Sequence, residues 1–468
     1  MTAQTTSYFG PLSAAAVGRP LGRERLAGRL GVPVLLLIAL ALWPSTPGGA
    51  AQAAAAPVHE ARLAAALFAH EPNLAALQWQ YQVTPSPPGS ALNGVSCPTS
   101  TSCVAVGQQS SGNRSLALVE SWSKGKWDIV TVPQPPGNTD AVLTSVSCPY
   151  SGPGPGQARL GVAPGSCVAV GFTGGPGTVG TRPFSEVLLG TTWRIVPPAP
   201  LMAGIGAQFN AVSCPAGPTF WSGGVAAYCV AVGSYANTSQ QGGTLAEVYQ
   251  GSAWSLEKTP AIAAGESSLA SVSCFVETTL THGHLPSEST ECTAVGWTIG
   301  AGKTVTLVEH ADEQAWKLVP VPADASSQYT AFYGVSCPQP TSCVAVGQAV
   351  QGQAEGSFAE IENLNHWSIV ATPRPSDPGA YDLVGVWCPR TIGACEAVGT
   401  VSGTASVPIT EEWDGHHWAV QASAGPSKLS GLAAVACSEH GSSALRCTAV
   451  GSYQRSAKTE PRTLALRH

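Results

Sequence analysis

The sequence predicts an all-β fold: a seven-bladed β-propeller of four-stranded blades, one disulfide per blade, its ring closed by an N-terminal strand that completes the C-terminal blade. Three observations carry this. The tripeptide Ala-Val-Gly recurs seven times, ending at Gly107, Gly171, Gly233, Gly296, Gly347, Gly399 and Gly451. All fourteen cysteines fall in phase with it, two per repeat, and the first cysteines of successive repeats are 49 to 66 residues apart, near the period of blade-type repeats. A tryptophan keeps the same phase: Trp79, Trp127, Trp193, Trp254, Trp316, Trp367 and Trp418 stand 18 to 21 residues before the first cysteine of the following repeat.

Each repeat reads as four short strands. The first ends in a Val-Ser-Cys segment such as Val95-Ser96-Cys97, the second is Cys-x-Ala-Val-Gly, the third is a Leu/Val-rich run such as Leu116-Ala117-Leu118-Val119, and the fourth carries the tryptophan. Short β-rich runs punctuated by Gly and Pro favour strand over helix. Gly125, Gly190, Gly251 and Gly415 fall just before the tryptophan strand, where a tight hairpin turn needs them. Pro-rich links such as Val132-Pro133-Gln134-Pro135-Pro136 lead to the next repeat.

The cysteines pair consecutively on this reading: Cys97 with Cys103, Cys148 with Cys167, Cys214 with Cys229, Cys274 with Cys292, Cys337 with Cys343, Cys388 with Cys395 and Cys437 with Cys447. Facing positions on antiparallel strands come within disulfide range. The spacing is not that of a zinc site, and no histidine recurs beside the pairs.

The seventh repeat has no tryptophan strand before His468, whereas Trp79-Gln80-Tyr81-Gln82-Val83 has no repeat before it. Pairing the two removes the exposed edges that an open stack would carry. In this arrangement the chain resembles the secreted bacterial β-propeller repeat proteins, with Kelch-like blades in the broad sense, across residues 78–468. The resemblance implies architecture and no activity. The Gly-His and Trp-Asp signature of WD40 blades and the Ser-x-Asp-x-Gly-x-x-Trp box of sialidases are missing.

Residues 1–53 read as a signal peptide, or alternatively a signal anchor. Arg19, Arg23, Arg25 and Arg29 precede an apolar run from Val34 to Trp43, followed by small residues. That run is short for a bilayer span. Residues 54–77 read as a linker with a short helix, and 78–468 as the propeller. The chain is then secreted, or membrane-anchored with the propeller outside, and touches the membrane only through an uncleaved N-terminal segment. Charged residues make up only 11% of the chain, with 22 basic against 28 acidic side chains, so no electrostatic footprint for nucleic acid exists.

Glu120, Glu186, Glu247, Glu309, Glu360 and Glu411 each lie seven residues before their tryptophan, and Arg467 or His468 takes that place in the seventh repeat. Such a series is a calcium or substrate site, or else a blade-to-blade hydrogen bond or a solvated edge charge; a residue repeated in every blade favours the structural readings, and the tryptophans read likewise as packing. Local function belongs where the repeat is broken. The inter-cysteine hairpins of repeats two, three and four are long and consecutive, and inserted loops on a rigid scaffold are common binding sites. Phe220, Trp221 and Tyr228 in the third are the candidate binding residues. His282 and His284 in the fourth are the metal candidates, but a Gly-broken loop does not pre-place ligands, so neither metal nor cofactor is predicted.

No G-x-S-x-G elbow, H-E-x-x-H helix or P-loop occurs, and pairing every cysteine leaves no thiol nucleophile, so no catalytic residue is assigned. The expected function is a non-catalytic binding or interaction propeller, monomeric, recognising an envelope glycan or protein partner. The alternatives are an extracellular polysaccharide hydrolase or lyase with carboxylates drawn from several blades, and a structural surface spacer. An axis lined by clustered Asp, Glu and Arg favours the enzyme; an apolar or narrow one favours the binder.

Overall fold

The computed structural model describes residues 79–468 apart from short internal segments, the longest being 150–166 and 216–227. The signal and linker regions, 1–53 and 54–77, lie outside the described residues, as do Phe220, Trp221, His282 and His284. Among the described residues there is no helix, and the four strands of each of the first six repeats follow in order. The first repeat forms Ala91–Thr99, Ser102–Ser111, Arg114–Ser123 and Lys126–Val130; the second Ala141–Ser147, Val168–Thr173, Arg182–Leu189 and Thr192–Ile195. The third forms Ile205–Ser213, Cys229–Asn237, Gly242–Tyr249 and Trp254–Glu257; the fourth Ser267–Thr279, Ser287–Gly300, Lys303–Asp312 and Ala315–Leu318. The fifth forms Tyr329–Gln339, Ser342–Gln351, Ala354–Asn363 and His366–Val370; the sixth Ala380–Trp387, Cys395–Ser402, Ser406–Trp413 and Trp418–Gln421. The seventh contributes Ser430–His440, Ala444–Tyr453 and Arg462–Arg467.

The turn into the tryptophan strand explains its glycine. In the first repeat Lys124 and Gly125 have φ of 53° and 83°, the paired positive values of a two-residue hairpin whose twist matches that of its strands.

The strands make antiparallel four-stranded sheets in the order first, second, third, fourth, and a single parallel bridge between Thr304 and Tyr329 joins the fourth and fifth sheets into one of eight strands. In the seventh sheet the fourth place is taken by Gln80–Gln82, which pairs Gln80 with Arg467, Tyr81 with Leu466 and Gln82 with Ala465. Among the described residues no sheet closes on itself. The sheets instead pack face against face, and each of seven apolar clusters draws on two of them. Val106, Ala117 and Val119 of the first sheet meet Leu143, Ala169 and Trp193 of the second. Ala436, Val450 and Ala465 of the seventh sheet meet Leu92, Ala105 and Trp127 of the first.

The Ala-Val-Gly signature follows from this packing. The alanine is flush with the neighbouring sheet, and Ala105, Ala169, Ala231, Ala294, Ala345, Ala397 and Ala449 are all fully buried. The glycine faces a β-bulge in the first strand, present in every sheet, which adds one residue and presses the strand's backbone inward. At Gly347 an added Cβ would lie 1.9 Å from the Ala331 carbonyl oxygen, and at Gly107 1.9 Å from that of Ala91. Backbone cannot swing aside as a side chain does. Gly347→Ala is therefore expected to cost about 3 kcal/mol, read as a lower denaturation midpoint in urea; an unchanged midpoint would contradict the bulge contact.

The serine of Val-Ser-Cys ties each sheet to the next. The amides of Cys148, Cys214, Cys274, Cys337 and Cys388 donate to Oγ of Ser96, Ser147, Ser213, Ser273 and Ser336 of the preceding sheet, each at 3.0 Å. Trp387 and Ala436 hold that position in the sixth and seventh repeats and cannot accept such a bond. Seven disulfides then close the hairpins between first and second strands: Cys97–Cys103, Cys148–Cys167, Cys214–Cys229, Cys274–Cys292, Cys337–Cys343, Cys388–Cys395 and Cys437–Cys447. Each staples one sheet and contributes on the order of 2–3 kcal/mol. Seven bridges suit an oxidising, extracellular compartment. Among the described residues no helix is long and apolar enough to cross a membrane.

Candidate functional site

The repeated glutamates do not face solvent. Glu120, Glu186, Glu247, Glu309, Glu360 and Glu411 lie on third strands, directly opposite the alanine of Ala-Val-Gly, and each is 0% exposed. Burial is the largest influence on all of them, pushing Glu120, Glu247 and Glu309 up to about 7 and Glu186, Glu360 and Glu411 to about 8. Among the described residues, both carboxyl oxygens of Glu186, Glu360 and Glu411 are buried without a hydrogen-bond partner, and the partners that Glu247 and Glu309 have come from the preceding repeat. Glu309 Oε1 accepts from the Thr244 hydroxyl at 2.9 Å, and Glu247 Oε2 from the Ala199 amide at 2.8 Å. Thr463 of the seventh sheet acts on Glu120 of the first. The register corrects one sequence expectation: Leu466, not Arg467 or His468, stands opposite Ala449 in the seventh sheet. A leucine there fills the same buried slot without a charge to desolvate.

The tryptophans are spent in the same way. All seven are between 3% and 6% exposed. Three of their indole nitrogens donate to the preceding sheet: Trp254 to Ser185 Oγ, Trp316 to Glu257 Oε2 and Trp79 to Gln421 Oε1. Rings held in this manner are closed to stacking on a ligand.

What the packing leaves free is the surface of the first strands. The extra residue of the bulge points out of the sheet, and in the first three sheets it reaches the next first strand: Asn93 Nδ2 donates to the Leu143 carbonyl at 2.8 Å, Thr144 Oγ1 to that of Phe209 at 3.0 Å, and Asn210 Nδ2 to that of Leu269 at 2.7 Å. Gln208 and Ser268 join this neutral polar line through Asn210. In the fifth sheet the bulge residue is Tyr333, whose hydroxyl lies 2.8 Å from that of Tyr329 and donates to Gln348 Oε1 at 3.5 Å. Beside it, Asp382 of the sixth sheet accepts from the Thr400 amide at 3.0 Å, and burial pushes its carboxyl up to about 6.

A second departure from the repeat lies between the sixth and seventh sheets. Glu396 stands where other repeats carry Val or Thr, and it pairs in register with Glu412. Gln421 Nε2 donates to Glu412 Oε2 at 2.9 Å and to Glu396 Oε1 at 3.4 Å. The His468 ring packs edge-on against Trp79 at 4.5 Å, with Nε2 3.7 Å from Glu396 Oε1. Burial moves the two in opposite directions, His468 down to about 4 and Glu396 up to about 8, so both are neutral near pH 7. With side chains 2% and 4% exposed, this pair is sealed from substrate and acts as an interior contact.

No family model and no curated protein matches the chain.

Solved structures do resemble it. A protein of unknown function from Dyadobacter fermentans is 10% identical with a TM-score of 0.40, covering 83% of this chain and 97% of its own. AofleA from Arthrobotrys oligospora is 11% identical with a TM-score of 0.39, covering 73% and 87%. Sqt1 from Chaetomium thermophilum is 9% identical with a TM-score of 0.40, covering 80% and 82%. The resemblance to secreted bacterial propeller proteins thus stays one of repeat pattern, with no family behind it.

Of the candidate binding residues, Tyr228 is described, and it is partly buried against the cluster shared by the third and fourth sheets. The fourth-repeat hairpin continues past its disulfide as a two-stranded ribbon, in register from Phe275 and Glu291 to Thr279 and Ser287. The Tyr333 group was not singled out from sequence. The signal that finds it is the bulge position one residue after the strand residue that faces Gly, where tyrosine replaces Asn or Thr, and the bulge is legible only in the pairing.

Proposed function

We propose that the chain is an exported seven-bladed β-propeller, closed by its N-terminal strand, that binds a glycan or protein of the cell envelope without turning it over. Closure is supported by the pairing of Gln80–Gln82 with Arg462–Arg467 and by the packing of the seventh sheet on the first. Arg467 adds to that contact, its guanidinium 3.3 Å above the Trp122 ring and its Nη2 donating to the Ser100 carbonyl. The observation that carries the binding reading is the use of the recurring groups. Carboxylates and indoles that would serve catalysis or sugar stacking are taken up between sheets, while the first strands of the first three sheets offer Asn93, Gln208 and Asn210, neutral hydrogen-bonding groups that are partly exposed. That part of the surface holds a polar ligand and has little means of moving a proton at it.

The long hairpins of repeats two to four are the proposed partner-facing surface, with Phe220, Trp221 and Tyr228 among its contacts. Replacing the segments inside Cys148–Cys167, Cys214–Cys229 and Cys274–Cys292 with the short loop of Cys97–Cys103 tests this. The parent protein is expected to be retained on at least one member of a panel of envelope polysaccharides and envelope proteins without releasing product. The trimmed variant is expected to bind at least tenfold more weakly with its melting temperature nearly unchanged. Undiminished binding would remove the hairpins from the site, and product release would replace the binder with the hydrolase or lyase.

A further inference from the structure

The ties that bulge side chains make between first strands stop after the third sheet. Bulge residues become Ala270, Tyr333, Val384 and Ala433, and of these only tyrosine carries a hydrogen-bonding group. Around Tyr333 the fifth and sixth sheets gather Tyr329, Gln348, Asp382 and, at the exposed start of Ala354–Asn363, Glu355. The tyrosine hydroxyls and the Gln348 amide form one hydrogen-bonded line, partly open to solvent. Its electrostatics are one-sided. Burial first, and then Tyr329, Asp382 and Glu355, push the Tyr333 phenol up, and the charged groups acting on Tyr329, Tyr333 and Asp382 are all acidic. Among the described residues no cation acts on this group; a carboxylate so placed and partly out of water is unfavourable, and a cationic ligand recovers that loss. Phenol rings add their own attraction for an ammonium group.

We propose that Tyr329, Tyr333, Gln348, Glu355 and Asp382 form a binding site for an amino sugar, the carboxylates holding its ammonium and the phenols and amide its hydroxyls. A bare alkylammonium would make no use of the remaining hydrogen-bonding capacity of the Tyr329–Tyr333–Gln348 line, and a neutral sugar would bring the carboxylates no counter-charge. The site deepens the envelope-binding reading and rests on it for the source of the ligand, but it lies on the first strands and not on the hairpins. Its fate is therefore separable from theirs.

Isothermal titration of the purified protein with glucosamine, N-acetylglucosamine and lysine methyl ester tests the chemistry. Saturable glucosamine binding is expected, at least tenfold tighter than either of the others. Asp382→Asn is expected to weaken glucosamine binding at least tenfold, and Tyr333→Phe, which keeps the ring in place, three- to tenfold. The hairpin-trimmed protein is expected to bind glucosamine as the parent does, even where it has lost its macromolecular partner. Absence of glucosamine binding, equal affinity for the N-acetylated sugar, equal affinity for the lysine ester, or full affinity in a folded Asp382→Asn protein would each overturn the assignment.

Discussion

Deleting residues 78–88 is expected to lower the melting temperature by on the order of 10 °C, whereas deleting 54–77 leaves it nearly unchanged. The first deletion takes away Trp79, 4% exposed, with its bond to Gln421 and its edge-on contact with His468. It also removes the strand that covers Leu464 and Leu466, both fully buried, and the Thr84 hydroxyl that donates to the Thr463 carbonyl at 3.1 Å. Losing a buried tryptophan alone costs about 3–5 kcal/mol, and the freed edge of Arg462–Arg467 adds unpaired backbone to that loss. The expected product is a protein whose seventh sheet is frayed and prone to associate through the open edge. Scanning calorimetry of the two truncated proteins measures the difference. Equal melting temperatures would show that the N-terminal strand is dispensable and would remove ring closure from the proposal.

Raising the pH from 6.5 to 8.5 is expected to destabilise the protein, by on the order of 5 °C in melting temperature. The six repeated glutamates have folded values of about 7 or about 8, against an ordinary value of 4.5, and Glu362 is likewise raised to about 7. Between those limits the folded protein holds protons that the unfolded chain has released. Stability is therefore greatest below 4.5 and declines as pH climbs through the folded values. Glu396, at about 8, works in the same direction. His468 works the other way, but its window runs from about 4 to 6.5 and closes before the test begins. Asp324, held down to about 2 chiefly by the Ser326 and Ser327 hydroxyls, acts at lower pH still. Glu360→Gln keeps shape and hydrogen-bonding capacity without the titrating proton, and it is expected to reduce the pH slope by one group's share. A melting temperature that rises across this interval would mean that the glutamates are charged and solvated, and that the inter-sheet interfaces are wetter than the packing shows.

The periodic part of this protein was readable from residues alone, because each recurring residue solves a local problem repeated in every sheet. Cys-x-Ala-Val-Gly marks a strand pressed flat on its neighbour, Lys124-Gly125 a hairpin whose backbone needs positive φ, and the phase of Trp79 a strand belonging to the other end of the chain. Small size, turn geometry and spacing are properties of single residues and of their order. They reach the page without a third dimension.

The contacts between sheets were not readable in that way. The serine before each first cysteine was only part of a marker until its hydroxyl met the amide of a cysteine some 50 to 70 residues onward. The glutamate series presented a choice among a ligand site, an interface and a solvated edge, and burial decided it for the interface, since a carboxylate's environment depends on what covers it. Alignment by distance put Arg467 or His468 in the seventh glutamate position, and strand register put Leu466 there. The Tyr333 group depends on a bulge that shifts the pairing by one residue in every first strand, and it joins side chains of two sheets separated by some 50 residues of chain. Repetition determined the architecture, because it is written in the order of residues; the site was decided by tertiary structure, because it forms where residues distant in that order share one desolvated space.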